Sequence, residues 1–178
     1  GISKAIMRLT ELEQLYIANS PLTAEGFFRD IEPSSPFYAE KDEWSWANLT
    51  KLYDLEIYNC PKLTALPMDM LGNLPELQML NIACNKGISG DQLKKDWESF
   101  INSPSGSKIQ VIYMGYNNLE EFPVHEELKK MVRLGMLDCA SNKIKKVHPF
   151  GKDINLTKLY LDYNEITEIP HAEDGYFF

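Results

Sequence analysis

The residues able to carry chemistry in this chain are scattered. Its three histidines, His125, His148 and His171, stand in separate segments. Neither they nor Cys60, Cys84 and Cys139 have the close spacing of a zinc site or a cysteine–histidine nucleophile. There is no G-x-S-x-G, no P-loop and no glycine-rich phosphate loop. Asp91 opens a helical pattern without the carboxylate series of a calcium loop. No catalytic residue, metal or cofactor is expected, and the chain reads as a non-enzyme. What remains is a set of tyrosines and carboxylates: Tyr16, Asp54, Glu56, Tyr58, Tyr113, Tyr116, Asp138, Tyr160, Asp162 and Tyr163. Tyrosine offers rigid contact area with a polar tip, which suits protein interfaces. With acids beside it, such a set could hold a protein or peptide, or stack on a sugar whose hydroxyls the carboxylates bond. Tyrosine also favours strands and pairs across them, so sheet stabilisation within a structural spacer is the competing reading.

Whether these side chains share a surface depends on the elements that present them. A phrase recurs along the chain: an apolar residue, a second three later, a third two after that, then asparagine three further on. Its copies are Leu156, Leu159, Leu161, Asn164; Leu134, Leu137, Cys139, Asn142; Ile109, Ile112, Met114, Asn117; and Leu77, Leu80, Ile82, Asn85. Two further copies, Leu52, Leu55, Ile57 and Leu12, Leu15, Ile17, carry Cys60 and Ser20 at the asparagine position. The fourth and sixth positions alternate with the period of a strand, so both face one side. A unit this short cannot bury that side alone, but stacked units cover one another. Inward asparagines can then bond the backbone of the turn after each strand and of the neighbouring coil.

This pattern resembles the leucine-rich repeat family over about residues 9 to 170. The resemblance implies an α/β fold: a right-handed solenoid with a parallel concave sheet and an irregular, partly helical convex side. It predicts six parallel strands in chain order. The fourth- and sixth-position residues Leu55, Ile57, Leu80, Ile82, Ile112, Met114, Leu137, Cys139, Leu159 and Leu161 should be nearly inaccessible. The third, fifth, seventh and eighth positions should face the concave surface or its edge, and these hold the ten candidate residues named above. Tyr113, Tyr116, Tyr160 and Tyr163 would lie two coils apart, roughly 10 Å by strand spacing.

The repeats are uneven. Starts at Leu12, Leu52, Leu77, Ile109, Leu134 and Leu156 give periods of 40, 25, 32, 25 and 22 residues. The 32-residue period holds a helix over 89–102, capped by Ser89 or Asp91 and stopped by Ser103-Pro104-Ser105-Gly106. Shorter helical turns are expected over 23–31, 68–72 and 125–132. Residues 2–9 read like the tail of a preceding helix or repeat. The end after Ile169 brings no closing motif, so residues 1–178 are expected to be one repeat domain excised from a longer protein.

Composition bounds the partners. The chain has 178 residues and a net charge of −8, which disfavours nucleic acid and anionic membranes. Lys143, Lys145, Lys146 and Lys152 make a local basic run, read as a solvated edge. Cys60 and Cys139 fall at inward positions, so they read as buried thiols without disulfides. The wording of Leu77–Asn85, Gly90–Trp97 and Lys108–Pro123 resembles bacterial cell-surface leucine-rich repeat proteins. That resemblance implies an extracellular or surface location, with outer-membrane anchoring through the parent protein. The expected activity is protein or peptide binding by a monomer, with no membrane contact by this segment.

Overall fold

The computed structural model describes residues 1–169. Its strands are β1 (Ile2–Ser3), β2 (Gln14–Ala18), β3 (Phe28–Arg29), β4 (Asp54–Tyr58), β5 (Met79–Asn81), β6 (Val111–Tyr113), β7 (Met136–Asp138) and β8 (Lys158–Tyr160). Strands β2, β4, β5, β6, β7 and β8 form one sheet in that order, parallel throughout. Its register aligns the repeat column by column: Leu15, Leu55, Leu80, Ile112, Leu137 and Leu159 are successive partners. The expected leucine-rich repeat solenoid is therefore present, with its parallel sheet and helical outer side.

Inside, the fourth and sixth positions of β4 to β7 are almost fully buried, Ile82 being the most exposed at 4%. Leu159 and Leu161 correct the expectation, because both are only half-buried. They lie on and directly after β8, which among the described residues has a neighbouring strand on one side only. The asparagine ladder runs through the same interior. Asn85 Nδ2 donates to the Ile57 and Ile82 carbonyls, at 2.7 and 3.0 Å, and its Oδ1 accepts from Cys60 N. Asn117 likewise donates to Ile82 and Met114 and accepts from Asn85 N. Asn142 and Asn164 repeat the arrangement. At Cys60 only the weakly donating thiol remains, 3.6 Å from the Tyr58 carbonyl oxygen.

The outer side carries α1 (Met68–Leu71), α2 (Gly90–Ile101) and α3 (His125–Lys130). Ser89 caps α2 by accepting from Gln92 N, and Leu93, Trp97, Phe100 and Ile101 turn its apolar stripe inward. After α2, the buried Ser105 hydroxyl accepts from the Leu74 N–H and donates to the Leu74 carbonyl, fastening the insertion to the preceding coil. The helical turn expected over 23–31 does not form. There β3 pairs in parallel with β1, Ile2 opposite Phe28. Aromatic packing decides it: Phe27 is buried, and the Phe28 ring lies 4.6 Å from that of Trp46. A helix would place these adjacent rings about 100° apart, and Gly26 just before them weakens helix further.

Candidate interaction surface

On the concave side, strand alternation leaves the third and fifth positions of β5, β6 and β7 half-buried beside fully buried fourth positions. At the eighth position every coil turns the same way. Asn19, Asn59, Cys84, Tyr116, Ser141 and Tyr163 all adopt φ between 52° and 61°. This left-handed conformation suits asparagine and costs other side chains roughly 1–2 kcal/mol. The turn throws the eighth-position side chain outward: Tyr163 is 85% exposed and Tyr116 52%. The two asparagines in this column were the available clue to a turn that the spacing alone did not reveal.

Two clusters share the surface. At one end Tyr113, Asp138 and Tyr160 are direct cross-strand partners. The exposed Tyr116 and Tyr163 stand beside them, with Asp162 exposed at the seventh position. Asp138 is partly committed to its own strand end, because its Oδ1 accepts from Ala140 N at 2.9 Å. Asn81 closes the end of β5 in the same way onto Ala83 N. Met79, Val111 and Met136 form a half-buried apolar row alongside, in register.

The other end lies on β2 and β4, where Tyr16 is exposed and Glu56 and Tyr58 are half-buried. Asp54, one of the expected contact residues, is only 5% exposed and lies beneath this surface. Its Oδ2 accepts from Tyr16 Oη at 2.9 Å and from Gln14 Nε2 at 3.4 Å. Gln14 also donates to Tyr53 Oη at 2.8 Å. Gln14, at a third position, and Tyr53, which no outward repeat position marked, thus belong to this end of the surface. The hydrogen bond to Asp54, with lesser help from desolvation and nearby acids, raises the Tyr16 phenol to about 12. Glu56 is also raised, first by burial and then by the Asp54 charge, against the opposing hydrogen bond from Asn81.

The histidines and buried cysteines do not extend either cluster among the described residues. His125 Nδ1 accepts from Gly151 N on the outer side, and His171 lies outside the described residues. Cys60 and Cys139 are buried, and burial pushes the Cys139 thiol well above its ordinary value. Among the described residues no three or more His, Cys, Asp or Glu side chains are placed to hold a metal ion. No helix among them is long and apolar enough to cross a membrane. The four lysines of the basic run are exposed, and Lys146 reaches Glu168 at 3.6 Å.

Known proteins match this repeat arrangement. The Leucine Rich Repeat family model matches residues 155–173. Lumican of Rattus norvegicus is 31% identical over 148 residues, covering 76% of this chain and 43% of lumican. The crystal structure of a leucine-rich repeat protein from Bacteroides eggerthii is 50% identical, with a TM-score of 0.86, and covers 94% of this chain and 28% of that one. Its counterpart from Bacteroides thetaiotaomicron is 54% identical, with a TM-score of 0.88, over 95% of this chain and 20% of that one. The chain thus spans less than half the length of the curated relative and a smaller share of both solved proteins. On its periodic core, its asparagine ladder and these likenesses, the chain is a leucine-rich repeat solenoid similar to the Bacteroides proteins.

Proposed function

We propose that this segment is a non-enzymatic recognition module that binds a protein or peptide with its concave face, at a bacterial cell surface. The observation that carries the reading is the tyrosine cluster. Tyr113 and Tyr160 flank Asp138 in register, and Tyr116 and Tyr163 project beside them from strained turns. Sheet stabilisation explains aromatic residues paired on strands. It does not account for large side chains held in left-handed turns and turned to solvent, where a smaller residue would cost less. Leucine-rich repeat proteins generally present this face to protein ligands, as the extended concave surface of a solenoid allows. The Bacteroides relatives favour a bacterial setting.

The test is capture of a partner from native cell-surface extract by the wild-type chain and two double variants. Tyr113→Ala with Tyr160→Ala should weaken binding by about 2 kcal/mol or more if these are hot spots. Lys95→Ala with Glu98→Ala, two exposed positions on α2, should leave binding unchanged. The opposite pattern moves the site to the outer insertions at 32–46 and 89–106.

A further inference from the structure

The acidic end of the concave face has a feature that the tyrosine cluster lacks. Asp54 and Glu56 stand two residues apart on β4, so both point to the concave side. Asp54 is more than nine-tenths buried, and its Oδ1 has no hydrogen-bond partner. Glu56 receives a single long hydrogen bond, from Asn81 Nδ2 at 3.5 Å. The ion pairs of the described residues use Lys4, Arg8, Lys41, Lys51, Lys94, Lys108, Lys129, Lys146 and His125, and none of them reaches Asp54 or Glu56. Two neighbouring carboxylates are thus held without a counter-charge, one of them taken largely out of water. Such an arrangement costs stability unless a cation completes it.

We propose that Asp54, Glu56 and Tyr16 form a receptor for one basic side chain, lysine or arginine, of the protein partner. The inference rests on the recognition role given above and specifies the chemistry of one contact. The half-buried Glu56 would meet the cation directly. Asp54 lies behind it and adds its field through a region poorer in water than the bulk. Tyr16 is fixed by its bond to Asp54, and its exposed ring offers a π-face to the same cation. Gln14 braces the arrangement from the neighbouring strand, by its contact with Asp54 and its bond to Tyr53. The net charge of −8 would draw in a basic partner in the same sense.

The experiment titrates the full chain with N-acetyl-arginine amide and with the uncharged N-acetyl-citrulline amide, followed by NMR. The arginine probe should shift the resonances of Tyr16, Glu56 and Asn81, and the citrulline probe should not. Asp54→Asn and Glu56→Gln should each weaken the arginine effect by about tenfold, as expected when one of two converging charges is removed. Glu120→Gln, an exposed carboxylate on the outer side, should not change it. Equal shifts from both probes, or wild-type binding by both carboxamide variants, would overturn the proposal. So would calcium chloride perturbing the same resonances at lower concentration than arginine, which would make this a divalent-cation site. If Asp54→Asn fails to fold, the half-exposed Glu56→Gln decides alone. A captured protein that needs Tyr113 and Tyr160 but tolerates Glu56→Gln would overturn this contact and leave the concave reading standing. Arginine binding here, with no effect of the tyrosine variants on capture, would do the reverse.

Discussion

Strands β7 and β8 carry the same phrase and end in different environments. Leu137 and Cys139 are completely inaccessible, whereas Leu159 and Leu161, one coil later and in register with them, are half-buried. Burial in a solenoid is conferred by the next coil and not by the repeat itself, so equal letters carry unequal energy. The comparison predicts graded effects. Leu137→Ala should cost about 2–5 kcal/mol, since a close-packed coil cannot collapse onto the void. Leu159→Ala should cost roughly half as much, because the site can relax towards solvent. Paired urea melts would check this, and equal costs would mean that β8 is covered as fully as β7.

A smaller contrast lies along the ladder. Asn117→Ala removes two donated bonds and one accepted bond in a buried setting. It should cost about 2–3 kcal/mol, because backbone groups are left unsatisfied. Asn164 makes similar bonds nearer to solvent, so its alanine variant should cost about 1 kcal/mol. Thermal melts of the two variants sharpen the comparison, and the order is the prediction.

The third contrast concerns the left-handed column. Tyr163→Gly should raise stability by up to about 1 kcal/mol, since glycine adopts this φ freely and loses only backbone entropy. Asn59→Gly should change it by a few tenths, because asparagine already tolerates the turn. If the tyrosine serves recognition, the stabilised Tyr163→Gly chain should also bind its partner less well.

The smallest effect is titrational. In the folded chain one tyrosine, Tyr16, should ionise near pH 12 by ultraviolet difference spectroscopy. A phenol whose folded value is raised keeps its proton while the unfolded chain loses it. The contribution is therefore present below pH 10 and fades as the pH climbs towards 12. Asp54→Asn should move that ionisation back down.

Much of this was legible in the sequence, and the misreadings share a cause. The register of all six repeat strands and the buried columns of β4 to β7 follow from spacing, because a period-two pattern and an inward asparagine act within one coil. Helix α2 was legible for the same reason, having its cap and its apolar stripe within a dozen residues. The burial of Asp54 was not legible because it depends on Gln14 and Tyr16, 40 and 38 residues earlier on another strand. Residues 23–31 were misread because Phe28 packs against Trp46, far along the chain. Leu159 and Leu161 were misread because a motif does not state which of its sides has a neighbour. Each failure is a contact between coils, which no single repeat records.

The asparagine ladder has a direction, and direction implies a sequence of events in time. Each asparagine from Asn85 onward closes the turn of the coil before it: its oxygen accepts from an amide there, and its nitrogen donates to a carbonyl there. During synthesis from the N-terminus, a newly emerged coil holds its turn open until the next coil delivers the amide that fastens it. The solenoid would thus be latched from behind, one coil late, as the chain leaves the ribosome. A pause in translation would leave one unlatched turn at the growing end while the earlier coils stayed closed.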